Sequence, residues 1–311
     1  MAALVSDAGD VAVSFDLNEA AQQIDWPGTA ETRNAVLRLD DECVGLWITR
    51  DADEVGRLLD RRLEADPVRA TLLGTIRLTL DTARLDCWCA ATRDGSAVAV
   101  RADRRYPVVL DGVWLPTDLD ELATAIATLP ELAGVHGAVS AAEAVAVRLP
   151  GRAVNSKAIR LHRLDIVTVP ADVPGRSRRA GISDRELLRD WYRAFDQEAD
   201  LFGGDIDDAV DGAVDSHGCW LWVDASGVVV SMATRRPIIA GCARVGPVYT
   251  PRRWRGKGYG SAVTAAATRD VLDDGGLPVL FTDLANQTSN DIYDQLGYHV
   301  EDRLEFAFRS V

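Results

Sequence analysis

A glycine-rich turn between a predicted strand and a predicted helix limits most strongly what this chain can fold into. Gly256, Gly258 and Gly260 occupy alternate positions just after an apolar strand pattern and just before a helical one. Alternate glycines let a backbone approach a ligand closely, and the first N–H groups of a helix attract an anion. Arg255 and Lys257 add positive charge to the turn. The segment therefore predicts a strand–loop–helix unit with a phosphate-binding loop.

Two common phosphate loops do not match this spacing. A P-loop has its first glycine five residues before its Gly-Lys pair, and this chain has Pro251 at that position. A dinucleotide fingerprint has the spacing Gly-x-Gly-x-x-Gly and opens a long array of alternating strands and helices. Here the spacing is Gly-x-Gly-x-Gly and it lies close to the C-terminus. Both alternatives are therefore excluded.

A second motif follows the glycine turn and predicts a short helix. Asn286, Asn290 and Tyr293 are spaced at i, i+4 and i+7, so they lie on one face of a helix that begins near Asn286. Ile292 and Leu296 then point toward the core. Taken alone, this pattern also fits a capped surface helix with an ordinary aromatic residue. Together with the glycine turn, it favours a ligand site.

The two motifs together resemble those of the GNAT superfamily of acetyltransferases. Arg-Gly-Lys-Gly-Tyr-Gly resembles the Gln/Arg-x-x-Gly-x-Gly/Ala motif of that superfamily, and Asn-x-x-Ser-Asn-x-x-Tyr followed by Leu-Gly-Tyr resembles its later motif. The longer string from 242 to 305 is similar to a group of predicted bacterial acetyltransferases. The resemblance implies an α/β (α+β) fold with a mixed, mostly antiparallel central sheet flanked by helices. It also implies acetyl-CoA as co-substrate and no metal.

The resemblance also implies which residues bind the cofactor. The backbone of Val248, Tyr249 and Thr250 would pair with the pantetheine arm like an added strand. Asn286 and Asn290 would hydrogen-bond the same arm. The loop that would hold the pyrophosphate consists of Arg255, Gly256, Lys257, Gly258, Tyr259, Gly260 and Ser261.

The implied reaction is direct attack of an amine on the thioester, which requires a proton donor and a proton acceptor but no enzyme nucleophile. By the resemblance, Tyr293 would place its hydroxyl near the CoA sulfur and protonate the departing thiolate. The identity of the proton acceptor is left open, because the strand 243–249 contains no carboxylate. Asp283, Glu198 and Asp200 are the candidates, and transfer through water is an equal alternative.

The order of predicted elements suggests two halves. Residues 170–179 contain two prolines, a glycine and four charges, which is typical of a linker. The elements before it occur in the same order as those after it, but the segment 110–116 has one glycine and no Arg-Gly-x-Gly. We therefore expect a degenerate GNAT-like domain at 1–169, a linker at 170–179 and a catalytic domain at 180–311.

Composition limits the partners. A net charge of −14 argues against nucleic acid, which requires a basic surface. The sequence has no run of about 18 apolar residues and no signal-peptide pattern, so we expect no membrane partner and a cytoplasmic location. Five cysteines without a Cys-x-x-Cys pair suit free thiols in a reducing compartment. Whether the protein is a monomer or a homodimer is left open.

An acidic stretch suggests the acceptor. Residues 196–215 contain eight carboxylates and no Lys or Arg, and the apolar, flexible segment 201–204 interrupts them. The stretch is either a solvated helix face or the rim of a site that attracts a cationic small-molecule amine. Two other functions are considered, namely a non-catalytic acyl-CoA-binding module and a protein N-acetyltransferase.

Overall fold

Helices and strands alternate along the chain in the computed structural model, which describes residues 45–80, 86–104, 106–151, 153–199 and 205–310. The first half contains β1 (Leu46–Thr49), α1 (Ala52–Ala65), α2 (Thr71–Leu80), β2 (Trp88–Thr92), β3 (Ala97–Arg101), β4 (Val108–Gly112), α3 (Pro116–Ala127), β5 (Val135–Ala138), α4 (Val139–Arg148) and β6 (Ala153–Arg163). The second half contains β7 (Arg176–Arg179), α5 (Arg185–Ala199), α6 (Ile206–Asp215), β8 (Cys219–Val223), β9 (Val229–Arg235), β10 (Cys242–Tyr249), α7 (Tyr259–Asp273), β11 (Leu277–Asp283), α8 (Gln287–Leu296) and β12 (His299–Ser310).

The twelve strands of the described residues belong to one sheet, in the order β1-β2-β3-β4-β5-β12-β6-β11-β10-β9-β8-β7. Only β4 with β5 and β10 with β11 pair in parallel, and the other neighbours are antiparallel. The mixed, mostly antiparallel sheet with flanking helices confirms the predicted fold class. The order is symmetric about the central β12–β6 pair, with one parallel pair on each side.

The two parallel pairs separate toward the ends of their strands. β10 and β11 are paired at three positions, the last of them Arg244 with Val279, although β10 continues to Tyr249. A bulge between Val245 and Val248 shifts the register of β10 against β9 at the same place. A bulge bends its strand and increases the local twist. A gap therefore opens between β10 and β11 next to the glycine turn.

Each end of the sheet has its own apolar core. At one end α1 and α2 pack Val55, Leu59 and Leu73 on one face of β2 and β3, and α3 and α4 cover the other face. At the other end α7 packs Val263 and Val271 against β9 and β10. The small residues that the sequence places along α7 let this helix lie close to the sheet.

The stretch predicted to be a linker is partly a strand. Arg176–Arg179 forms β7 at the edge of the sheet and pairs with β8. Charged side chains are typical of an edge strand, because they discourage pairing with another chain. Arg178 and Arg179 also have acidic partners, Asp184 and Asp270. The boundaries of the two predicted domains stay a prediction, since both halves contribute strands to the same sheet.

Two other sequence-based expectations concern membrane-spanning segments and the cysteine thiols. In the described ranges no helix is both long and apolar enough to cross a bilayer. The four cysteines that the structure describes are buried free thiols, as predicted: Cys87, Cys89, Cys219 and Cys242. Burial raises the pKa of the Cys89 and Cys219 thiols to about 12.

Candidate active site

The three glycines of the predicted loop are required for different reasons. Gly256 and Gly258 have φ angles of 74° and 78°, a left-handed conformation that favours glycine. A Cβ atom on Gly258 would also lie 3.0 Å from Cγ2 of Val173. Gly260 is in the helix, and a Cβ atom there would lie 3.3 Å from Oγ1 of Thr250. The glycines thus shape the turn and bring α7 close to the end of β10.

The N-terminus of α7 has no side-chain cap. Its N-cap residue is Gly258, and its first turn contains no acidic residue. By contrast, Asp51 caps α1 and Asp205 caps α6 through their carboxylates. The first N–H groups of α7 therefore lack a capping partner at the positive end of the helix dipole. This arrangement suits an anion such as a phosphate.

Arg255 does not point freely into the loop. Its Nε donates to the carbonyl of Thr250 at 2.8 Å, and its Nη2 donates to Glu198 at 2.6 Å. The hydroxyl of Tyr249 also donates to Glu198, at 3.3 Å. Lys257, which was expected beside Arg255 in the phosphate loop, lies 4.9 Å above the ring of Trp254.

Glu198, one of the predicted bases, is a poor proton acceptor in this structure. The hydrogen bond from Arg255 is the main cause that lowers the pKa of its carboxyl group, and Arg252 adds to the effect from 3.6 Å. A general base works best when its pKa lies near the working pH. Glu198 is therefore better described as the anchor of Arg255 at the end of β10.

Asp283 lies where the sequence predicted it, at the end of β11, and it has a partner that sequence reasoning missed. Nζ of Lys157 in β6 lies 3.3 Å from Oδ2 of Asp283 and donates to the carbonyl of Ala199 at 2.7 Å. Lys157 and Lys257 are the only lysines in the sequence. The rarity of lysine was the sequence signal that could have identified Lys157, because the chain otherwise uses arginine and both of its lysines lie near this site.

Asn290 is turned into the protein, which does not fit the expected contact with the pantetheine arm. Its side chain is 1% exposed, and its amide nitrogen donates to the carbonyls of Asp283 and Leu284. Its amide oxygen accepts from the hydroxyl of Thr282 at 2.7 Å. Asn290 thus fixes the end of β11 to α8. Asn286 is exposed and caps α8 by accepting from the N–H of Ser289, which matches the alternative of a capped surface helix, while its contact with the cofactor arm stays a prediction.

A buried histidine from β6 completes this network. Because Thr282 donates its hydroxyl proton to Asn290, the same oxygen accepts from Nε2 of His162 at 3.0 Å. His162 is fully buried, and its Nδ1 has no hydrogen-bond partner in the described part of the chain. Burial is the main cause that lowers the pKa of His162 to about 4. Sequence reasoning missed His162, which lies in the other half of the chain and 120 positions away from Thr282.

Tyr293 lies beside this network. Its ring centroid is 6.4 Å from that of His162 and 5.9 Å from that of Tyr298. Tyr298 hydrogen-bonds Thr268, whereas the hydroxyl of Tyr293 has no partner among the described residues. Burial raises the pKa of Tyr293 to about 12, so the phenol keeps its proton at neutral pH. The group can therefore donate a proton but not accept one.

Comparisons with known proteins agree with this geometry. The family model described as FR47-like protein matches residues 229–307. A solved structure of a Drosophila protein is similar, with a TM-score of 0.62 and 15% identity over 85% of this chain and 98% of that one. A GNAT-family acetyltransferase from Colwellia psychrerythraea has a TM-score of 0.56 and 11% identity over 85% of this chain and all of that one. A GCN5-related N-acetyltransferase from Sphaerobacter thermophilus has a TM-score of 0.54 and 16% identity over 84% of this chain and 95% of that one. The chain has the GNAT fold.

The predicted fold is thereby confirmed, and at these low identities the solved structures show the fold alone. No curated protein matches the chain. The FR47-like model covers the glycine turn, β11 and α8, and thus every predicted site residue except Glu198 and Asp200.

The acidic stretch is mostly paired in the described part of the chain, which fits the alternative of a helix face better than an open rim. Asp205 accepts from the N–H groups at the start of α6. Arg189 of α5 pairs with Asp207. Arg185 pairs with Asp211 and Asp215, each at 2.6 Å. This pairing could not be recognised from the stretch itself, because Arg185 and Arg189 precede it in the sequence. Asp208 has no ion pair in the described part of the chain, and Asp200 and residues 201–204 lie outside it.

Proposed function

We propose that this protein transfers an acetyl group from acetyl-CoA to the amine of a small acceptor, in the gap between β10 and β11. The observation that carries the proposal is the uncapped, glycine-rich start of α7 beside that gap. The GNAT fold and the FR47-like match support the same chemistry.

The cofactor arm would pair with the free side of β10. Val248 and Tyr249 pair with β9 on one side, and on the other side β10 has no strand partner after Arg244 among the described strands. A polar backbone edge of this kind can bind an extended chain through its N–H and carbonyl groups. The pyrophosphate would then lie on the first N–H groups of α7, at Tyr259, Gly260 and Ser261.

Transfer would proceed in one complex without an enzyme nucleophile. The lone pair of a neutral amine attacks the thioester carbonyl, and the C–S bond breaks as the new C–N bond is completed. Tyr293 donates its proton to the departing sulfur, and the amine gives up a proton to Asp283 directly or through water. We assign the donor role to Tyr293 because its hydroxyl carries a proton and has no internal partner among the described residues.

The acceptor is proposed to be cationic, which is a separate step of the proposal. The support is the net charge of −14 together with Asp208 on α6. A positively charged acceptor would be attracted over a distance by such a surface, which mainly affects encounter and KM.

The test is thiol release from acetyl-CoA by the full chain with a panel of amines, including a polyamine, an amino sugar, an amino acid and a peptide. We expect release with at least one amine, and Tyr293→Phe to lower kcat by roughly 10²-fold while the Kd for CoA changes by no more than a few-fold. Tyr298→Phe is the matched control, because that phenol hydrogen-bonds Thr268 inside the protein. Full activity of Tyr293→Phe would remove this residue from the mechanism.

A non-catalytic acyl-CoA-binding module is the second candidate, because β10 contains no carboxylate. CoA binding without thiol release from any amine of the panel would favour it over the transferase.

A further inference from the structure

A cavity of about 320 Å³ lies at the other end of the sheet, between β4 and β5. These strands pair only at Val108 with Val135 and Val109 with His136, and then separate. The cavity lies at the carboxyl ends of this parallel pair, and so occupies the position in the first half that the candidate active site occupies in the second. None of the predicted acetyl-CoA residues lines it.

This cavity is not built for a pyrophosphate. The helix beside it, α3, begins with Pro116, which has no N–H, and Asp118 accepts from the N–H of Leu115 at 3.2 Å. A carboxylate thus lies in the first turn of α3, whereas the first turn of α7 contains no acidic residue. Gly112 is needed for packing, since a Cβ atom there would lie 2.3 Å from the carbonyl oxygen of Ser96.

The charged groups around the cavity are already paired with one another. Arg62 donates to Asp111 at 2.6 Å. Arg69 pairs with Asp66 at 2.9 Å and with Asp302 at 2.7 Å. A charged ligand would lose its hydration in the cavity and would find no unpaired charge of opposite sign among these groups. Burying a charge without such a partner is costly. An uncharged ligand avoids this cost.

Two polar side chains at the cavity lack partners. His136 is 8% exposed, and neither of its ring nitrogens has a hydrogen-bond partner among the described residues. Burial lowers the pKa of His136 to about 4, so the ring is neutral and offers one donor and one acceptor. Trp114 is 9% exposed, and its buried Nε1–H has no acceptor within the described ranges. Buried polar groups are normally hydrogen-bonded, so these two groups point to a missing partner.

The rest of the lining is largely apolar. It includes Leu72, Leu73, Leu110, Ala141 and Leu304. The volume equals that of roughly ten water molecules, which few polar groups would hold in place. Replacing that water with an apolar molecule would be favourable, and small-molecule sites typically combine such a lining with a few polar groups.

We propose that this cavity binds an uncharged, mainly apolar small molecule that carries a carbonyl or hydroxyl oxygen, with His136 as its hydrogen-bond partner. The site is separate from the candidate active site, and the proposal does not depend on acetyl transfer there.

The test uses prodan, an uncharged naphthalene ketone whose emission shifts to the blue when it leaves water. We expect the full chain to bind prodan at one site with a blue shift, and a saturating concentration of CoA to leave this binding unchanged. His136→Leu removes both ring nitrogens at similar volume, and we expect a Kd about tenfold higher, the scale of one hydrogen bond. His299→Leu, at an exposed histidine outside the cavity, is the matched control.

A second pair of variants covers the case in which His136→Leu does not fold. Ala138 is exposed and lines the cavity, so Ala138→Phe fills the space without disturbing the core. We expect at least a tenfold weaker binding of prodan, and no change for Ala52→Phe at the exposed start of α1. Prodan binding that is unaffected by His136→Leu and Ala138→Phe, or that CoA displaces, would overturn the proposal.

Discussion

Replacing Thr282 with valine is expected to destabilise the fold by about 3 kcal/mol, because one hydroxyl serves two buried partners. The hydroxyl donates to Asn290 at 2.7 Å and accepts from His162 at 3.0 Å. Valine has nearly the same shape, so the change removes the hydrogen bonds without leaving a cavity.

The magnitude follows from the burial of the partners. His162 is 0% exposed and Asn290 is 1% exposed, so water cannot replace the lost hydroxyl without local opening. Each buried polar group left without a partner costs about 1–3 kcal/mol, which gives about 2–6 kcal/mol for the two groups. For a protein of 311 residues the unfolding entropy is about 0.65 kcal/mol/K, so a loss of about 3 kcal/mol corresponds to a decrease in Tm of roughly 4–5 °C.

The assay is urea and thermal unfolding of the variant beside a matched control, Thr264→Val. Thr264 is equally buried, but its hydroxyl donates to the carbonyl of Gly260 in its own helix, at 2.7 Å. That carbonyl also takes part in the helix ladder, so we expect a loss below about 1 kcal/mol. If the two valine variants are equally stable, the network does not hold β11 to α8 as described.

Three further predictions test the site and the charges. Gly258→Glu should abolish CoA binding in calorimetry. The control Gly275→Glu, at a glycine with a φ of 76° and open space around it, should bind CoA like the parent. Equal CoA binding by the two variants would contradict the assignment of the phosphate loop. His136 and His162 have pKa values of about 4 in the folded state and about 6.5 in the unfolded state. Their burial therefore does not reduce the free energy of unfolding above about pH 6.5. As the pH decreases from there toward 4, each histidine lowers that free energy by up to about 1.4 kcal/mol per pH unit, because only the unfolded state takes up the proton. Urea unfolding at pH 7 and pH 5 checks this, and equal free energies would contradict it. Asp208→Asn should raise the KM of a dicationic acceptor at low salt and leave CoA binding unchanged; an unaltered KM would remove the acidic surface from acceptor choice.

The parts of the site that were predictable from the sequence are those fixed by local geometry. The turn at Gly256 and Gly258 requires left-handed backbone, and Asn286 caps the helix that follows it, so both features are written in adjacent residues. The alternation of strands and helices was likewise sufficient for the fold class, since each element depends on its own periodicity.

The parts that could not be predicted depend on residues far apart in the chain. Glu198 meets Arg255 across 57 positions, and Lys157 reaches Asp283 from a strand of the other half. Burial and partners of this kind determine whether a carboxylate is a base or an anchor, and no local pattern contains them. The edge strand at Arg176–Arg179 was missed because prolines and charges that mark a linker also occur beside edge strands.

The position of β12 in the sheet has a consequence for folding during synthesis. β12 lies between β5 and β6, and it follows all the other described strands in the sequence. On the ribosome, the facing sides of β5 and β6 can therefore not be closed until β12 has emerged, although the helices around them are complete much earlier. Such late, long-range pairing slows folding and leaves strand edges exposed to other chains. Nascent chains of this protein thus depend on β12, more than 130 residues after β6, to join the sheet of the first half.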